Sequence, residues 1–286
     1  MARLNLSSKI FLDGADPEES KKAKEILGFL DGQTTNPTLL AKNPEIQEKT
    51  GKGGKFSEKE LYSFYQKVIR EIAEIASGSI SIEVYADRFT RAEEMLRQAR
   101  EMVNWIPNAS IKLPITKEGL RAAEMAVQEG IPVNMTLCFS QEQAAAVYSA
   151  TKGAKSPVFV SPFVGRLDDK GENGMNLIEN IIKMYKAGDG HVLALTASVR
   201  SLDHLLSALK ISCPLITSPF KVLEEWSQKN FILPDDNFSY NPANLEYIPY
   251  QEISLDKNWQ NYNINHPLTD IGLERFSADW KSIIQN

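Results

Sequence analysis

Lys112 stands alone in a run of apolar and small residues, Ala-Ser-Ile-Lys-Leu-Pro-Ile-Thr at 109–116, that predicts a short buried strand. Side chains alternate along a strand, so Lys112 faces away from Ile111 and Leu113. A lysine ammonium inside a protein loses hydration, and its pKa falls towards values at which the free amine is available. A free amine attacks carbonyl carbons and forms a Schiff base. This strand therefore predicts covalent catalysis on a ketone or aldehyde, with an edge-strand lysine that prevents aggregation as the structural alternative.

Other predicted strands carry polar residues towards their carboxyl ends. Alternation places Asp13 on the inner face of strand 9–13 and Glu83 on the inner face of strand 80–85. The same argument adds Thr34 and Asn36 from strand 32–36, and Asn134 and Thr136 from strand 131–137. Each has a structural alternative, such as a cap, a turn residue or a buried ion-pair partner. Together they favour a catalytic pocket, because burial of so many polar groups is costly.

The chemistry that this set supports is specific. Lys112 would be the nucleophile, and imine formation and hydrolysis both require proton transfers to and from a carbinolamine oxygen. Glu83, acting through a water held by Thr136, suits that work. Asp13 would remove the proton of the hydroxyl beside the carbon–carbon bond that breaks.

Further residues would bind the substrate. Asn36 and Asn134 would hold hydroxyls or the Schiff-base carbon skeleton in place. Arg166 and Arg200 follow the sixth and seventh predicted strands, with Ser198 nearby. A guanidinium presents a planar fork that matches phosphate, so these residues predict a phosphate clamp. The alternative for each arginine is a surface salt bridge.

The elements that must position these residues alternate between strand and helix. The eight predicted strands are 9–13, 32–36, 80–85, 109–116, 131–137, 158–161, 192–197 and 214–217. Eight alternating units predict a parallel (β/α)8 TIM barrel with its core at 8–230. A doubly wound open sheet is the alternative, but no Gly-rich dinucleotide fingerprint follows any strand.

Two segments fall outside this pattern. Residues 42–56 contain a Gly/Lys cluster that does not match a P-loop, so we expect a flexible connection there. Residues 231–286 are rich in aromatics and too apolar for a disordered tail. We expect this C-terminal extension to wrap the barrel or meet a partner subunit, and to end in a closing helix at 269–284. The whole chain, 1–286, is expected to form a single domain.

Composition narrows the function classes. With 32 Lys and Arg against 37 Asp and Glu, the net charge of −5 argues against nucleic acid as a partner. Cys138 and Cys213 lie in apolar contexts and predict buried thiols, with neither a disulfide nor a metal site. No apolar run reaches membrane-helix length, and residues 1–8 do not resemble a signal peptide. We therefore expect a cytoplasmic protein without membrane contact.

Several stretches resemble transaldolases and the related fructose-6-phosphate aldolases, in family order over about 9–230. Thr-Thr-Asn-Pro-Thr at 34–38 and Ser-Pro-Phe-Val-Gly-Arg at 161–166 are the specific ones. Weaker matches are Phe-Leu-Asp at 11–13, Ser-Ile-Glu-Val at 81–84, Ile-Lys-Leu-Pro-Ile-Thr at 111–116, Gly-Ile-Pro-Val-Asn-Met-Thr-Leu at 130–137 and Ala-Ser-Val-Arg at 197–200.

The resemblance implies a class I (Schiff-base) aldolase barrel that needs no cofactor or metal and acts on sugar phosphates. It implies catalytic roles for Lys112, Asp13, Glu83 and Thr136, and substrate contacts for Thr34, Asn36, Asn134, Ser161, Phe163, Arg166, Ser198 and Arg200. Glu83 and Phe163 resemble transaldolases, because the aldolase branch is expected to carry glutamine and tyrosine there.

The activity that the resemblance implies is transfer of a dihydroxyacetone unit in the non-oxidative pentose phosphate pathway. The donor would be sedoheptulose 7-phosphate or fructose 6-phosphate, and the acceptor glyceraldehyde 3-phosphate or erythrose 4-phosphate. The alternatives are an aldolase that releases free dihydroxyacetone and a non-catalytic barrel that binds sugar phosphate. The sequence leaves open whether the chain forms a homo-oligomer.

Overall fold

The computed structural model describes residues 6–240 and 244–285. Residues 1–5, on which the signal-peptide expectation partly depends, lie outside the described residues. The strands found in the described residues are β1 (Lys9–Asp13), β2 (Gly32–Thr34), β3 (Ile80–Glu83), β4 (Ala109–Pro114), β5 (Val133–Cys138), β6 (Val158–Pro162), β7 (Val192–Thr196) and β8 (Leu215–Ser218). They are parallel and hydrogen-bonded in chain order, and β8 pairs with β1. The predicted (β/α)8 TIM barrel is confirmed.

Helices connect these strands and cover the barrel. They are α1 (Pro17–Leu27), α2 (Pro37–Ala41), α3 (Pro44–Gly51), α4 (Glu58–Ile75), α5 (Ala92–Met102), α6 (Lys117–Gln128), α7 (Gln141–Ala150), α8 (Val164–Asp168), α9 (Gly174–Tyr185), α10 (Leu202–Lys210), α11 (Phe220–Gln228) and α12 (Pro267–Ser282), with one 3-10 turn at Trp259–Asn261. Among the residues that the structure describes, none of these helices is long and apolar enough to cross a membrane.

Local sequence signals explain several helix starts. Ser57 and Glu60 form a capping box, in which each side chain binds the other residue's backbone N–H and satisfies a free donor of the first turn of α4. The flexible connection expected at 42–56 is wrong for its first half, because α3 occupies Pro44–Gly51. Asn43 caps α3 by accepting from the Glu45 N–H at 2.9 Å, and Pro44 fits its first position.

The second strand is shorter than predicted, which changes the account of Asn36. β2 ends at Thr34, and Asn36 is the N-cap of α2, where its Oδ1 accepts from the Leu39 N–H at 2.9 Å. Asn36 therefore reaches the barrel mouth as the N-cap of a helix. The prediction that it lies on a strand is wrong. The short helix α8, which carries Arg166, was not predicted.

Strand register brings the polar residues side by side. Glu83 on β3 pairs with Lys112 on β4, which pairs with Asn134 on β5. Phe11 lies on β1, two residues before Asp13, and Phe159 lies on β6, two residues before Ser161. The two rings meet edge to face inside the barrel, with centroids 6.3 Å apart. This apolar layer fills the barrel beneath the polar layer, so the polar side chains lie at the carboxyl ends of the strands.

The C-terminal extension wraps the barrel, as one of the two alternatives predicted. Buried side chains of α7 and α9 bind its backbone: Gln141 holds the N–H and carbonyl of Gln251, both at 2.9 Å, and Asn180 donates to the Ile248 carbonyl at 3.0 Å. A chain segment without regular structure needs such partners for its backbone polar groups. The extension then leads into α12, which crosses the mouth of the barrel.

Candidate active site

A cavity of about 170 Å³ opens at the carboxyl ends of the strands. Nine of the twelve predicted site residues line it, namely Asp13, Thr34, Asn36, Lys112, Ser161, Phe163, Arg166, Ser198 and Arg200. The other three, Glu83, Asn134 and Thr136, are buried behind its wall. Residues that sequence reasoning missed complete the lining, namely Thr38, Leu39, Ala197, Thr217, Arg275 and Phe276.

Lys112 is buried, with 3% of its side chain exposed, and it forms an ion pair with an equally buried carboxylate. Its Nζ lies 3.0 Å from Glu83 Oε2 and donates a hydrogen bond to the Thr35 carbonyl at 3.1 Å. A buried ammonium needs such partners, because an unpaired charge in a protein interior is strongly destabilising. The amine is thus held at one defined point of the cavity wall.

Glu83 is placed to exchange a proton with that amine. Burial raises the pKa of its carboxyl, and the nearby charge of Asp13 raises it further, while the Lys112 ammonium opposes the rise. Although Oε2 is close to Nζ, it lies outside hydrogen-bond geometry and has no hydrogen-bond partner among the described residues. A carboxyl whose pKa lies above its ordinary range is a better proton acceptor at neutral pH than a solvated glutamate.

Thr136 offers a second buried polar group. Its hydroxyl is fully buried and, within the part of the chain that the structure describes, has no hydrogen-bond partner. Buried hydroxyls normally have one, and ordered water often supplies it. The pairing of β5 with β6 shifts register around this residue, between Met135 and Cys138. These features fit the water-holding role predicted for Thr136 with Glu83.

Asp13 lies on the cavity wall beside the lysine. Thr34 donates a hydrogen bond to its Oδ1 at 2.7 Å, and the Thr34 hydroxyl is also 2.6 Å from that of Thr217. Burial raises the pKa of Asp13, while the Lys112 ammonium and the Thr34 hydroxyl oppose the rise. Asp13 therefore has a raised pKa and faces the space that a substrate would occupy.

Asn134 is held by protein groups on both sides. Its Nδ2 donates to Ser81 Oγ at 2.9 Å, and its Oδ1 accepts from Ser161 Oγ at 2.7 Å. Ser161 lines the cavity, whereas Asn134 lies behind it. The observed hydrogen bond from Ser161 to Asn134 orients Ser161 in the cavity wall. A direct contact between Asn134 and a substrate stays a prediction.

Two residues behind the ion pair were not predicted. The Tyr65 hydroxyl on α4 accepts the Glu83 N–H at 3.1 Å and lies 2.5 Å from Thr35 Oγ1. Thr35 in turn provides the carbonyl that binds Lys112. Burial raises the pKa of Tyr65 above its ordinary value, so the phenol stays neutral. Its hydroxyl therefore serves as a fixed hydrogen-bond partner. In the sequence, Tyr65 occupies a position on the inner face of a helix that is typical of any apolar core residue.

Two arginines, Arg166 and Arg200, also line the cavity. Arg166 lies near the rings of Phe163 and Phe276, with its guanidinium carbon 5.3 and 5.4 Å from their centroids. Arg200 pairs with Asp169 at 2.5 Å. A Cβ added at Gly165 would lie 2.4 Å from the Ser198 carbonyl oxygen and 2.7 Å from Arg200 Nε, so this glycine allows the loop that carries Ser198 and Arg200 to approach closely. The pair suits a phosphate group.

The two cysteines offer little chemistry. Cys138 and Cys213 are buried free thiols, as predicted, and burial raises the pKa of Cys138 to about 12. Within the described residues, no group of three or more His, Cys, Asp or Glu side chains could hold a metal ion.

The hydrogen bond from Thr34 to Asp13 gives a pH prediction. If Asp13 acts as the base, it must be ionised, so the raised pKa places the acid limb of kcat/KM above the ordinary aspartate range. Thr34→Val removes a bond that favours the ionised form. The acid limb should then move to higher pH, measured as the pH profile of kcat/KM. Thr217→Val removes no bond to Asp13 and serves as the matched control; an unmoved limb in Thr34→Val would exclude Asp13 as its source.

Comparison with known proteins shows the family of this chain. Residues 10–286 match the family described as "Transaldolase/Fructose-6-phosphate aldolase". A "Probable transaldolase" of Dehalococcoides mccartyi is 37% identical over 96% of this chain and 99% of its own length. Proteins of the same description from Anaeromyxobacter sp. and Roseiflexus castenholzii are 37% and 36% identical over 96% of this chain, and cover 98% and 97% of their own lengths. The chain belongs to the transaldolase/fructose-6-phosphate aldolase family.

Proposed function

We propose that this protein is a transaldolase that uses Lys112 as a Schiff-base nucleophile. It would move a dihydroxyacetone unit from a ketose phosphate, sedoheptulose 7-phosphate or fructose 6-phosphate, to an aldose phosphate, glyceraldehyde 3-phosphate or erythrose 4-phosphate. The observation that carries the proposal is the buried Lys112–Glu83 pair, 3.0 Å apart, with Lys112 on the wall of a cavity that Asp13, Arg166 and Arg200 also line.

The first step forms the imine. Glu83 takes a proton from the Lys112 ammonium, and the free amine adds to the ketone carbon to give a carbinolamine. A water held by Glu83 and Thr136 relays the proton that lets the carbinolamine oxygen leave as water. The product is an iminium ion on Nζ, which withdraws electrons from the bond between the α and β carbons of the former ketone.

The second step breaks that bond. Asp13 takes the proton of the hydroxyl on the β carbon, this carbon becomes an aldehyde as the α–β bond breaks, and the bonding electrons pass to the iminium to give an enamine. The aldose phosphate leaves, and an incoming aldehyde is attacked by the enamine carbon. Asp13 returns its proton to the new alkoxide, and hydrolysis of the new iminium frees Lys112.

Three wider predictions accompany this function. We propose that the chain is one domain, with the extension from residue 231 fixed to the barrel by the backbone contacts of α7 and α9. We also propose a cytoplasmic location, in keeping with a role in the pentose phosphate pathway. A homo-oligomer stays a prediction.

The reaction is tested by mixing the enzyme with fructose 6-phosphate and erythrose 4-phosphate and measuring both possible products. Sedoheptulose 7-phosphate formed in equal amount to the fructose 6-phosphate consumed supports transfer. Free dihydroxyacetone as the main product would replace the proposal with the aldolase reaction. The same assay without erythrose 4-phosphate is the control, and fructose 6-phosphate consumption should then nearly stop.

Glu83 and Phe163 should determine how long the enamine waits for an acceptor. In Glu83→Gln/Phe163→Tyr the buried acid is lost, and a hydroxyl enters the cavity wall where it can hold a water near the enamine. Overall turnover should fall, because glutamine cannot accept the Lys112 proton. More of the enamine that does form should be protonated, so the ratio of dihydroxyacetone release to transfer should rise. The two single variants show which position is responsible, and an unchanged ratio in the double variant would remove both from the account of specificity.

A further inference from the structure

The closing helix α12 forms part of the cavity wall. Arg275 and Phe276 on this helix line the cavity together with residues of the barrel loops. The Thr269 hydroxyl, near the start of the helix, donates to the Leu137 carbonyl of β5 at 3.0 Å. Nearer its end, Asp279 accepts a hydrogen bond from the Thr38 hydroxyl of α2. The helix is thus fixed to the barrel on both sides of Arg275.

The middle of α12 approaches Arg166 closely. The Arg166 guanidinium lies over the Phe276 ring, with its carbon 5.4 Å from the ring centroid. A Cβ added at Gly272 would lie 2.8 Å from Arg166 Nη1 and 2.5 Å from a methyl group of Leu137. A side chain at this position would have to displace the ends of the Leu137 and Arg166 side chains. The helix therefore packs directly against an arginine of the expected phosphate site.

Three cations, Arg166, Arg200 and Arg275, which we call the arginine cluster, line the same cavity. Within the described residues Arg166 forms no ion pair, and the partner of Arg275, Asp279, is 3.9 Å away. Burial lowers the pKa of Arg166, and the like charges of Arg275 and Arg200 lower it further. An anion in this cavity would relieve that repulsion.

We propose that Arg275 is a third ligand of the substrate's phosphate group, supplied by the closing helix. The proposal rests on the proposed function, because it assumes that the phosphate end of a sugar phosphate lies at the arginine cluster. It assigns phosphate recognition to two parts of the chain, the loops after β6 and β7 and the C-terminal helix. The ligand class is a phosphomonoester dianion, which binds several cations better than a monoanion does.

The direct test measures binding of inorganic phosphate, which needs no catalysis. Calorimetric titrations would compare the unmodified protein with Arg275→Ala, Arg275→Lys and Arg166→Ala. Arg275 is 58% exposed, so its contribution is smaller than that of a buried arginine. We expect Arg275→Ala to raise Kd about 5- to 20-fold, Arg275→Lys to restore part of the loss, and Arg166→Ala to have the larger effect.

A matched control separates local binding from net charge. Arg70 is exposed on α4, outside the cavity, and Arg70→Ala removes the same charge. It should leave the Kd for phosphate unchanged. If Arg70→Ala weakens binding as much as Arg275→Ala does, the effect is general electrostatics and the proposal is overturned.

A ratio of kcat/KM values for two acceptors provides a second test, because a general structural defect would lower both values alike. The ratio of kcat/KM for glyceraldehyde 3-phosphate to that for glyceraldehyde should fall about 5- to 20-fold in Arg275→Ala, since only the first acceptor carries phosphate. An unchanged ratio together with an unchanged Kd for phosphate would overturn the proposal. Failure of the transaldolase reaction itself would appear separately, as absence of turnover in the unmodified protein, and the phosphate titration would still test Arg275.

Discussion

Replacement of Lys112 by methionine should abolish turnover, with kcat lowered by about 10⁴-fold or more, because no other described residue that lines the cavity carries a primary amine that could form the imine. Methionine keeps most of the side-chain volume, so the cavity wall stays filled. The measurement is consumption of fructose 6-phosphate in the presence of erythrose 4-phosphate. Residual turnover above about 1% of the unmodified rate would mean that Lys112 is not the nucleophile.

The same substitution should also destabilise the protein, and this effect must be kept apart from the chemistry. Lys112→Met leaves Glu83 buried without its cation, at a cost of about 3–5 kcal/mol. Because burial raises the pKa of Glu83, protonation at low pH favours the folded variant, so its stability deficit should narrow as the pH falls. Lys112→Met/Glu83→Gln should recover much of the stability, measured by urea unfolding, while remaining inactive.

Replacement of Asp13 by asparagine should stop the reaction one step later. The imine can still form on Lys112, but the proton that must leave for bond cleavage has no base to accept it. We expect kcat to fall by about 10² to 10⁴-fold. Borohydride reduction with fructose 6-phosphate should then leave the whole six-carbon sugar phosphate on the enzyme, whereas the unmodified protein should carry a three-carbon adduct.

A nearby carboxylate provides the control for Asp13→Asn. Asp16 is the N-cap of α1, where its side chain accepts from the Glu18 N–H at 3.0 Å. Asparagine caps helices as well as aspartate does, so Asp16→Asn should change neither turnover nor adduct size. A three-carbon adduct on Asp13→Asn at the unmodified rate would assign bond cleavage to a different base.

The barrel and most of the cavity could be predicted because they depend on local patterns. Strand alternation alone places Asp13, Glu83 and Lys112 inside the barrel, and closure brings strands distant in sequence to one rim. Asn36 shows the limit of that argument, since it reaches the rim as a helix cap. The glycine and lysine content of residues 42–56 predicts a flexible connection. Asn43-Pro44 is a helix-start signal, and the structure has a helix there.

The missed residues depend on tertiary contacts that no local pattern encodes. Arg275 lies more than a hundred residues from Arg166 in the chain, and only the path of the extension brings α12 across the barrel mouth. Tyr65 occupies an inner-face position of α4 that any large apolar residue could fill. Its role appears only when its hydroxyl is seen between Thr35 and the Glu83 backbone.

Borohydride trapping followed by peptide mass mapping tests the central claim most directly. With fructose 6-phosphate as the sole substrate, we expect a dihydroxyacetone-sized adduct on Lys112. Addition of erythrose 4-phosphate before reduction should remove it, because the acceptor consumes the enamine. An adduct at another lysine, or none on Lys112 under any condition, would contradict the Schiff-base assignment and make a barrel that only binds sugar phosphate the better account.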